Sequence, residues 1–302
     1  MKQLSLTLTL ASTLYVSLTS VSATILAYEG FSTDATGSSA NYADGVILQG
    51  IDKARTGFTG AWAQTAGTLT TEYNVESVTG NLTYDGYIAG DEGRASAYLT
   101  TGSSSSAGAL GRTTSIDSSQ ITTSLYLALL IDFNDAEGGF SWTSDFGSNN
   151  YLFLNNTTLT FSPAGGSATG GFSTDIGTLG VSASGVNLFV LEYTTDTTGV
   201  SNPNYYSHWN LYINPDLTDG ALSSDEIDAT GIGIGLLNGG TIVAPSEISI
   251  ANRYINAGEN MYADEIYLTN DPADFIAVPE PSTYAAILGF ATLGLCLLRR
   301  RA

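Results

Sequence analysis

The sequence between residues 24 and 277 consists of short apolar or alternating runs that are separated by clusters of Gly, Asn and Asp. No segment of it sustains the apolar period of an amphipathic helix. Short runs bounded by turn-forming residues are typical of all-β domains. One large β-sandwich can account for the whole span of about 255 residues, so a second domain is not required.

About a dozen strands are predicted from this pattern, which is enough for two sheets packed face to face. The predicted strands span 25–31, 68–75, 81–88, 94–99, 125–133, 139–142, 151–161, 187–193, 207–214, 231–237, 247–251 and 262–268. The run at 125–133 is almost continuously apolar, which predicts a central strand buried on both faces. The runs at 68–75 and 81–88 flank a Ser-Val-Thr-Gly turn.

The last residues of the chain, 278–302, carry a different signal. The residues that define it are Pro279, Glu280, Pro281, Arg299, Arg300 and Arg301, and between these two groups the fifteen residues 284–298 are uncharged. A helix of that length rises roughly 22 Å. The hydrocarbon core is roughly 30 Å thick, but the flanking residues and the arginine stems extend the reach. We therefore expect one transmembrane helix with its basic end in the cytoplasm. The alternative, a buried helix of a soluble domain, lacks an amphipathic pattern.

The first residues, 1–23, have the features of a secretory signal peptide. Lys2 is followed by an apolar and hydroxylic run, and Val21-Ser22-Ala23 is a small-residue cleavage site. We expect cleavage after Ala23. The positively charged region is short, so an uncleaved N-terminal anchor is the alternative.

The charge of the body, residues 24–277, restricts its partners. This span has 28 acidic and 5 basic residues, a net charge of −23. Such a surface repels nucleic acid and anionic lipid, and neither is expected as a partner. The single cysteine, Cys296, lies in the tail, so the body has no disulfide, no thiol chemistry and no cysteine-based zinc site.

Pro279-Glu280-Pro281, the apolar helix and Arg299 to Arg301 together resemble the PEP-CTERM sorting signal of exopolysaccharide-producing Gram-negative bacteria. The resemblance covers only residues 278–302. It implies that an exosortase, a membrane transpeptidase-like enzyme, recognises this tail and cuts near the Pro-Glu-Pro. The protein would be anchored in the inner membrane before processing and would then reach the cell surface or the extracellular matrix.

The body resembles a second known type through a succession of short motifs. They are Tyr28-Glu29-Gly30-Phe31, Thr56-Gly57-Phe58-Thr59-Gly60-Ala61-Trp62, Gly93-Arg94-Ala95, the run from Trp209 to Pro215, and the run from Ala263 to Leu268. Their order is similar to that of the concanavalin A-like, LamG-type domains of exported PEP-CTERM proteins. The resemblance implies a jelly roll of two antiparallel sheets whose first and last segments pair near each other. Such folds host lectins, glucanases and adhesion modules, so the fold does not determine the function.

The alternating run at 207–214 contains the candidate ligand-binding residues. Alternation places Trp209, Leu211 and Ile213 on one side of the strand. The other side presents the row His208, Asn210 and Tyr212. Amide donors and aromatic rims suit sugar hydroxyls and apolar ring faces, so this row is a candidate carbohydrate contact. The alternative is an ordinary solvent-facing row.

The tryptophans Trp62, Trp142 and Trp209 raise the same question. Tryptophans of β-sandwiches are usually core residues, and we expect the same of these three. The alternative is that they are platforms for sugar stacking.

An enzyme would need a catalytic set, and the sequence offers only part of one. Jelly-roll glucanases carry Glu-x-Asp-x-x-Glu on one strand, beside the scissile bond. Glu226 and Asp228 begin that pattern, but Gly231 stands where the second Glu belongs. His208 is the only histidine, so a Ser-His-Asp triad would have to use it. We therefore predict a protein without catalytic residues, and a glycan-active hydrolase is the alternative.

No cofactor is expected, but calcium remains open because the body is acidic. The stretch 216–228 does not fit an EF-hand, because aligning Gly220 and Glu226 puts Pro215 and Leu217 at ligand positions. A looser calcium site could lie in that stretch. Another could lie at the group Asp132, Asn134, Asp135 and Glu137. The alternative is that these residues serve turn formation.

These observations predict an all-β, jelly-roll protein that is exported and has a structural or adhesive role at the cell surface or in the matrix. Weak binding to extracellular polysaccharide and processing by an exosortase are its expected interactions. A body retained in the inner membrane by an uncut tail is the third hypothesis.

Overall fold

A computed structural model gives the fold of the chain. It describes residues 25–33, 42–67, 71–76, 82–88, 93–99, 108–121, 123–143, 149–163, 169–200, 203, 206–234, 237–238, 241–242, 245–255 and 259–277. The predicted signal peptide at 1–23 and the predicted tail at 278–302 lie outside these residues.

The described residues form strands almost throughout, with three short 3₁₀ turns at Ser118–Gln120, Ser224–Glu226 and Pro272–Asp274. The strands are β1 (Ile25–Glu29), β2 (Phe58–Gly67), β3 (Thr71–Glu76), β4 (Arg94–Leu99), β5 (Gly108–Thr114), β6 (Ser124–Asp132), β7 (Glu137–Thr143), β8 (Asn149–Asn155), β9 (Thr158–Ser162), β10 (Phe172–Asp175), β11 (Val186–Thr194), β12 (Tyr206–Ile213), β13 (Ala229–Ile234), β14 (Leu237–Asn238), β15 (Thr241–Ile242), β16 (Glu247–Tyr254) and β17 (Asn260–Thr269). The all-β class predicted from the sequence is therefore confirmed.

The strands pair into two main antiparallel sheets. The first sheet has eight strands in the order β13-β12-β11-β6-β17-β4-β3, and β1 pairs with β17 beside β4. The second sheet has seven strands in the order β10-β9-β8-β7-β16-β5-β2. The two strands β14 and β15 pair separately. The result is a jelly-roll-like sandwich in which the first and last strands are neighbours, as the resemblance implies.

The main core lies between the two sheets, because side chains from both sheets meet there. The rings of Phe161 and Trp209 lie 4.6 Å apart across the sandwich. The indole nitrogen of Trp142 donates a hydrogen bond to the Tyr193 hydroxyl at 3.1 Å. These contacts fix the second sheet against β11 and β12 of the first.

Strand β6 is central and buried on both faces, as predicted. Leu127, Leu129 and Ile131 belong to the main core. Ala128 and Leu130, which alternate with them, belong to a separate cluster on the other face of the first sheet. An apolar residue at every position is what a strand covered on both sides requires.

We call this separate group the outer cluster. Its buried members are Leu82, Tyr87, Ala128, Leu130, Leu188, Val190, Tyr212, Leu217, Tyr267, Phe275 and Ile276. They come from the first sheet and from three segments that cross it, 82–88, 214–228 and 270–277. Most of the middle of this face is therefore covered, and its polar rows remain at the margins.

The predicted strand at 81–88 is wrong. Strand β3 pairs with β4 instead. The described residues 82–88 form a loop across the outer cluster, joined to the C-terminal segment by a single bridge between Tyr87 and Ile276. The Tyr87 hydroxyl donates to the Glu265 backbone oxygen at 2.8 Å. The apolar residues of this segment are thus buried by a loop and not by a strand.

Other differences also have local causes. The predicted strand at 151–161 is two strands, because Asn156 adopts a left-handed conformation with φ of 51° and turns the chain. Strands β2, β5 and β10 were not predicted. Their sequences are rich in Gly, Ala, Ser and Thr, and the burial of their neighbours decides their conformation more than their own propensity does.

A buried ion network joins the two sheets near the end of β1. Glu29 is fully buried and accepts hydrogen bonds from Arg112 at 2.8 Å, from Arg55 at 2.9 Å and from the Tyr42 hydroxyl at 2.9 Å. Arg112, on β5 of the second sheet, also donates to the Gly60 backbone oxygen at 3.1 Å. Removing one partner of a buried charge pair strongly destabilises a protein, because the other charge is then left buried without compensation.

We predict that Glu29→Gln lowers the free energy of unfolding by about 3–5 kcal/mol, because Arg112 and Arg55 lose their shared counter-charge. Chemical denaturation measures the change. The matched control is Glu76→Gln, which breaks the more exposed Arg94–Glu76 pair at 3.3 Å and should cost about 1 kcal/mol or less. Equal effects of the two substitutions would contradict the structural role of the network.

A second buried carboxyl group lies in a bulge of β17. Asp264 is fully buried and accepts hydrogen bonds from the backbone nitrogens of Leu82 at 3.2 Å and of Glu265 at 2.9 Å. The register between β17 and β6 shifts after Asp264, and Glu265 has a φ of 52°. Burial, followed by the charge of neighbouring Glu265, raises the pKa of Asp264 well above its ordinary value.

We predict a pH dependence of stability that follows from the raised pKa of Asp264. Above the ordinary pKa of aspartate, about 4, the unfolded chain releases a proton that the folded chain retains. This contribution to stability is complete below that pH and is lost as the pH rises through the folded pKa. The advantage of the wild type over Asp264→Asn, measured by denaturation from about pH 4 to about pH 8, should therefore shrink as the pH rises. A difference in stability that is constant with pH would contradict the raised pKa of Asp264.

Candidate functional site

The row predicted on β12 lies on the outer face of the first sheet. Trp209 and Leu211 are fully buried in the main core, which confirms the predicted alternation. His208 and Asn210 are half-buried on the opposite face, and Tyr212 is 4% exposed within the outer cluster. The strand therefore presents His208 and Asn210 to solvent and holds Tyr212 at the margin of the cluster.

Glu192 of β11 is the centre of this region. The register places Glu192 between Asn210 on β12 and Tyr126 on β6. Its Oε1 atom accepts hydrogen bonds from the Tyr126 hydroxyl at 2.9 Å and from the Ser124 hydroxyl at 3.3 Å. Its Oε2 atom accepts from the Asn210 side-chain nitrogen at 2.9 Å and from the Tyr212 hydroxyl at 3.2 Å. We call these five residues the Glu192 patch.

The two tyrosines of the Glu192 patch are neutral hydrogen-bond donors. Burial, followed by the negative charge of Glu192, raises the pKa of both Tyr126 and Tyr212. The Tyr126 ring also packs edge-on against Phe275 of the outer cluster, with centroids 6.3 Å apart. The patch therefore combines the half-buried ring of Tyr126 and the buried ring of Tyr212 with a fixed set of polar atoms at the edge of an apolar surface.

His208 is not part of the patch. Its Nε2 atom lies 2.9 Å from the Thr198 backbone oxygen, and its backbone nitrogen donates to the Asp196 backbone oxygen at 3.2 Å. The hydroxyl and then the backbone amide of Thr198 hold the pKa of Asp196 below its usual range. The structure thus brings Asn210 and Tyr212 together around Glu192. His208 instead contacts the loop that follows β11.

Three residues of the patch were missed from the sequence, namely Ser124, Tyr126 and Glu192. A signal was available for one of them. Glu192 is the single charged residue within β11, whose sequence is otherwise almost entirely apolar. A charge inside such a strand needs hydrogen-bond partners from neighbouring strands. Which strands those are depends on the sheet order, which the sequence did not specify.

The three tryptophans are core residues. Trp62 and Trp142 are each 1% exposed, and Trp209 is fully buried. None of them can present a ring face to a ligand, so the prediction that they are core residues is confirmed and the sugar-stacking alternative is wrong. Their size explains this, because each fills the space between the two sheets.

The partial glucanase pattern does not lie on a strand. Glu226 ends a 3₁₀ turn, and Asp228 precedes β13. Glu226 accepts hydrogen bonds from the backbone nitrogens of Asp216 at 2.7 Å and of Ser223 at 3.3 Å. Asp228 accepts from the Ile213 backbone nitrogen at 2.6 Å. These carboxylates order the loop, and they do not share the strand face that the glucanase pattern needs.

Both acidic stretches considered for calcium engage in turn hydrogen bonds. Asp216 accepts from the Thr218 backbone nitrogen at 2.9 Å, and Asp132 accepts from that of Asn134 at 2.9 Å. Asn134 and Asp135 both have positive φ angles, which suit the tight turn between β6 and β7. The part of the chain that the structure describes contains no group of three or more His, Cys, Asp or Glu residues placed to hold a metal ion. Calcium binding stays a prediction.

An open cleft of about 460 Å³ lies beside the outer cluster. Its lining residues are Thr83, Tyr84, Asp85, Asn214, Pro215, Asp216 and Thr218. The Tyr84 hydroxyl donates to the Pro215 backbone oxygen at 2.9 Å, and burial, followed by the nearby carboxylates, raises the pKa of Tyr84 to about 12. Several of its polar groups thus already serve the protein itself, and the Glu192 patch is the better-organised candidate.

The predicted sorting residues lie outside the described residues. They are Pro279, Glu280, Pro281, Arg299, Arg300 and Arg301. Within the ranges that the structure describes, no helix has the length and apolar character needed to cross a membrane. The predicted helix at 284–298 also falls outside those ranges.

The chain matches no protein-family model and no curated protein. Among solved structures it is similar to the binding domain of botulinum neurotoxin serotype D, with 12% identity and a TM-score of 0.32 over 76% of this chain and 48% of that one. A structure of botulinum neurotoxin type C, whose title reports an interaction with two ganglioside molecules, matches with 14% identity and a TM-score of 0.35 over 76% and 48%.

An alginate lyase from Chlorella virus matches with 9% identity and a TM-score of 0.32, over 66% of this chain and 93% of that one. Of the neurotoxin structures that it matches, by contrast, the chain spans about half the length. Matches at these identities and scores transfer neither a family nor a function to this chain.

We predict that Tyr126→Phe lowers the free energy of unfolding by about 1–2 kcal/mol, because Glu192 loses one of its hydrogen-bond donors. Denaturant unfolding measures the change. Tyr151→Phe on the second sheet is the matched control, because its hydroxyl makes no hydrogen bond to the described residues, and it should change stability by less than about 0.5 kcal/mol. The same loss in both variants would mean that the Glu192 network does not stabilise the fold.

Proposed function

We propose that this protein is an exported, non-enzymatic β-sandwich of the concanavalin A-like type that acts in the extracellular matrix or at the cell surface. Its role is structural or adhesive, and it binds carbohydrate weakly through the Glu192 patch. An exosortase processes its C-terminal tail, which holds the chain in the inner membrane until then. The observation that carries the binding role is the convergence of Tyr126, Asn210 and Tyr212 on one carboxylate.

The order of the signals at the two ends of the chain supports export. A signal peptide at 1–23 and a Pro-Glu-Pro, apolar helix and basic end at 278–302 are independent features of one sorting route. A body without cysteine is also stable in an oxidising compartment, because no thiol can be oxidised there.

The chemistry of the Glu192 patch supports the carbohydrate. Sugars present hydroxyl groups around apolar ring faces, and amphipathic aromatic residues accommodate both. The patch offers the half-buried Tyr126, the amide of Asn210 and hydroxyl oxygens within one small area. The preformed hydrogen bonds hold these groups in place before a ligand arrives, which lowers the entropic cost of binding.

The hydrolase alternative receives no support from the arrangement of Glu226 and Asp228 in a loop. It has its own direct test. Release of reducing ends from any of a panel of marine polysaccharides by the purified protein would overturn the non-enzymatic proposal.

We predict that the secreted protein lacks its tail. Mass spectrometry of the C-terminus should find a chain that ends near residues 279–281 in the secreted fraction of a strain with a working exosortase. Replacing Pro279, Glu280 and Pro281 together with alanine should leave an intact tail in the membrane fraction. The control is Ser282→Ala with Thr283→Ala, which changes neighbouring residues and leaves the Pro-Glu-Pro in place.

An intact, membrane-bound tail in the wild type would contradict the sorting proposal. It would favour instead a protein that remains in the inner membrane and faces the periplasm.

A further inference from the structure

Glu192 is the acceptor of all four hydrogen bonds that define the Glu192 patch. A carboxylate only accepts hydrogen bonds. The hydroxyl protons of Ser124, Tyr126 and Tyr212 and one amide proton of Asn210 are therefore directed at Glu192. Because the three hydroxyl groups donate their protons to Glu192, their oxygen atoms have only lone pairs left for another partner.

The hydrogen-bonding capacity that the patch has left for a ligand therefore consists mainly of acceptors. The lone pairs of the Ser124 and Tyr126 hydroxyl oxygens and the Asn210 side-chain oxygen, which belong to half-buried residues, can receive protons from a ligand. Neutral sugar hydroxyls donate protons and fit this arrangement. Carboxylate and sulfate groups only accept, so they find almost no complementary donor among these side chains.

The distribution of charge reinforces this preference. Arg112 and Arg55 are bound to buried Glu29 in the ion network. Arg94 pairs with Glu76 and lies 3.5 Å over the Tyr262 ring. Within the described contacts, no arginine or lysine reaches the Glu192 patch, and the body has a net charge of −23. An anionic polymer would meet repulsion without a local cation to offset it.

We propose that the Glu192 patch selects uncharged, hydroxyl-rich glycans and rejects anionic polysaccharides. This inference rests on the proposed carbohydrate-binding function and specifies the class of ligand. Glu192 acts as a positioning residue, because it sets the direction of its neighbours' protons and leaves the contact with the ligand to them.

Affinity electrophoresis of the full chain in mild detergent tests the inference. The neutral gels contain a β-1,3-glucan, starch or a galactomannan, and the anionic gels contain alginate or chondroitin sulfate. Each gel is run with a chelator and again with calcium, so that cation-bridged binding is detected. We expect retardation in at least one neutral gel and none in the anionic gels.

Two variants locate the site. Glu192→Gln keeps the shape and one acceptor oxygen but replaces the other with an NH₂ donor, so the protons that faced the lost oxygen must turn away from it. Binding to the retarding neutral glycan should then weaken about tenfold. Glu247→Gln is the matched control on the second sheet, where the carboxylate accepts from Ser249 at 2.8 Å, and it should bind like the wild type. If Glu192→Gln fails to fold, Tyr126→Phe, which removes one outward acceptor, should still weaken binding.

Each outcome has a separate meaning. Retardation in the anionic gels, or neutral binding that Glu192→Gln and Tyr126→Phe leave unchanged, overturns the inference while carbohydrate binding stands. No retardation in any gel overturns the carbohydrate-binding function itself.

Discussion

The position of β17 is the constraint on which the rest of the structure depends. It is the last strand of the body, yet it lies inside the first sheet, bonded to β6 along one edge and to β4 and β1 along the other. The sheet is therefore incomplete until the end of the body has been made. The first strand begins and the last strand completes the same sheet, and contacts so distant in sequence are expected to form late.

The segments that cross the outer face decide which of its side chains remain accessible. The segment 270–277 brings Phe275 and Ile276 over the first sheet, and 82–88 and 214–228 cover the neighbouring area. The middle of that face is consequently apolar and buried. The row formed by Asn210, Glu192 and Tyr126 lies at its margin, where polar atoms are half-exposed and held in place by the cluster beside them. A binding site at the margin of a packed face is rigid without being closed.

Those parts of the fold that depend on local pattern could be predicted from the sequence. The continuous apolar run of β6 indicated burial on both faces. The alternation of β12 separated the face that carries Trp209 from the face that carries His208. The segment 81–88 has the same apolar character but packs as a loop, because Asp264 and Glu265 of a distant strand bind its backbone and Tyr87. Likewise, the sequence pattern placed His208, Asn210 and Tyr212 in one row, whereas it did not point to Glu192, because the partners of Glu192 are set by sheet order. Polar networks across strands are tertiary properties, and a single sequence does not display them.

The central claim is that a neutral glycan binds at the Glu192 patch, and mapping a bound ligand on the protein tests it most directly. Backbone amide chemical shifts can be recorded by nuclear magnetic resonance during titration with an uncharged oligosaccharide. The claim predicts saturable shifts concentrated at residues 124–126 of β6, 190–194 of β11 and 208–212 of β12, with the second sheet unaffected. Shifts centred on the second sheet or on the cleft beside Tyr84, or no saturable shifts with any neutral oligosaccharide, would contradict it.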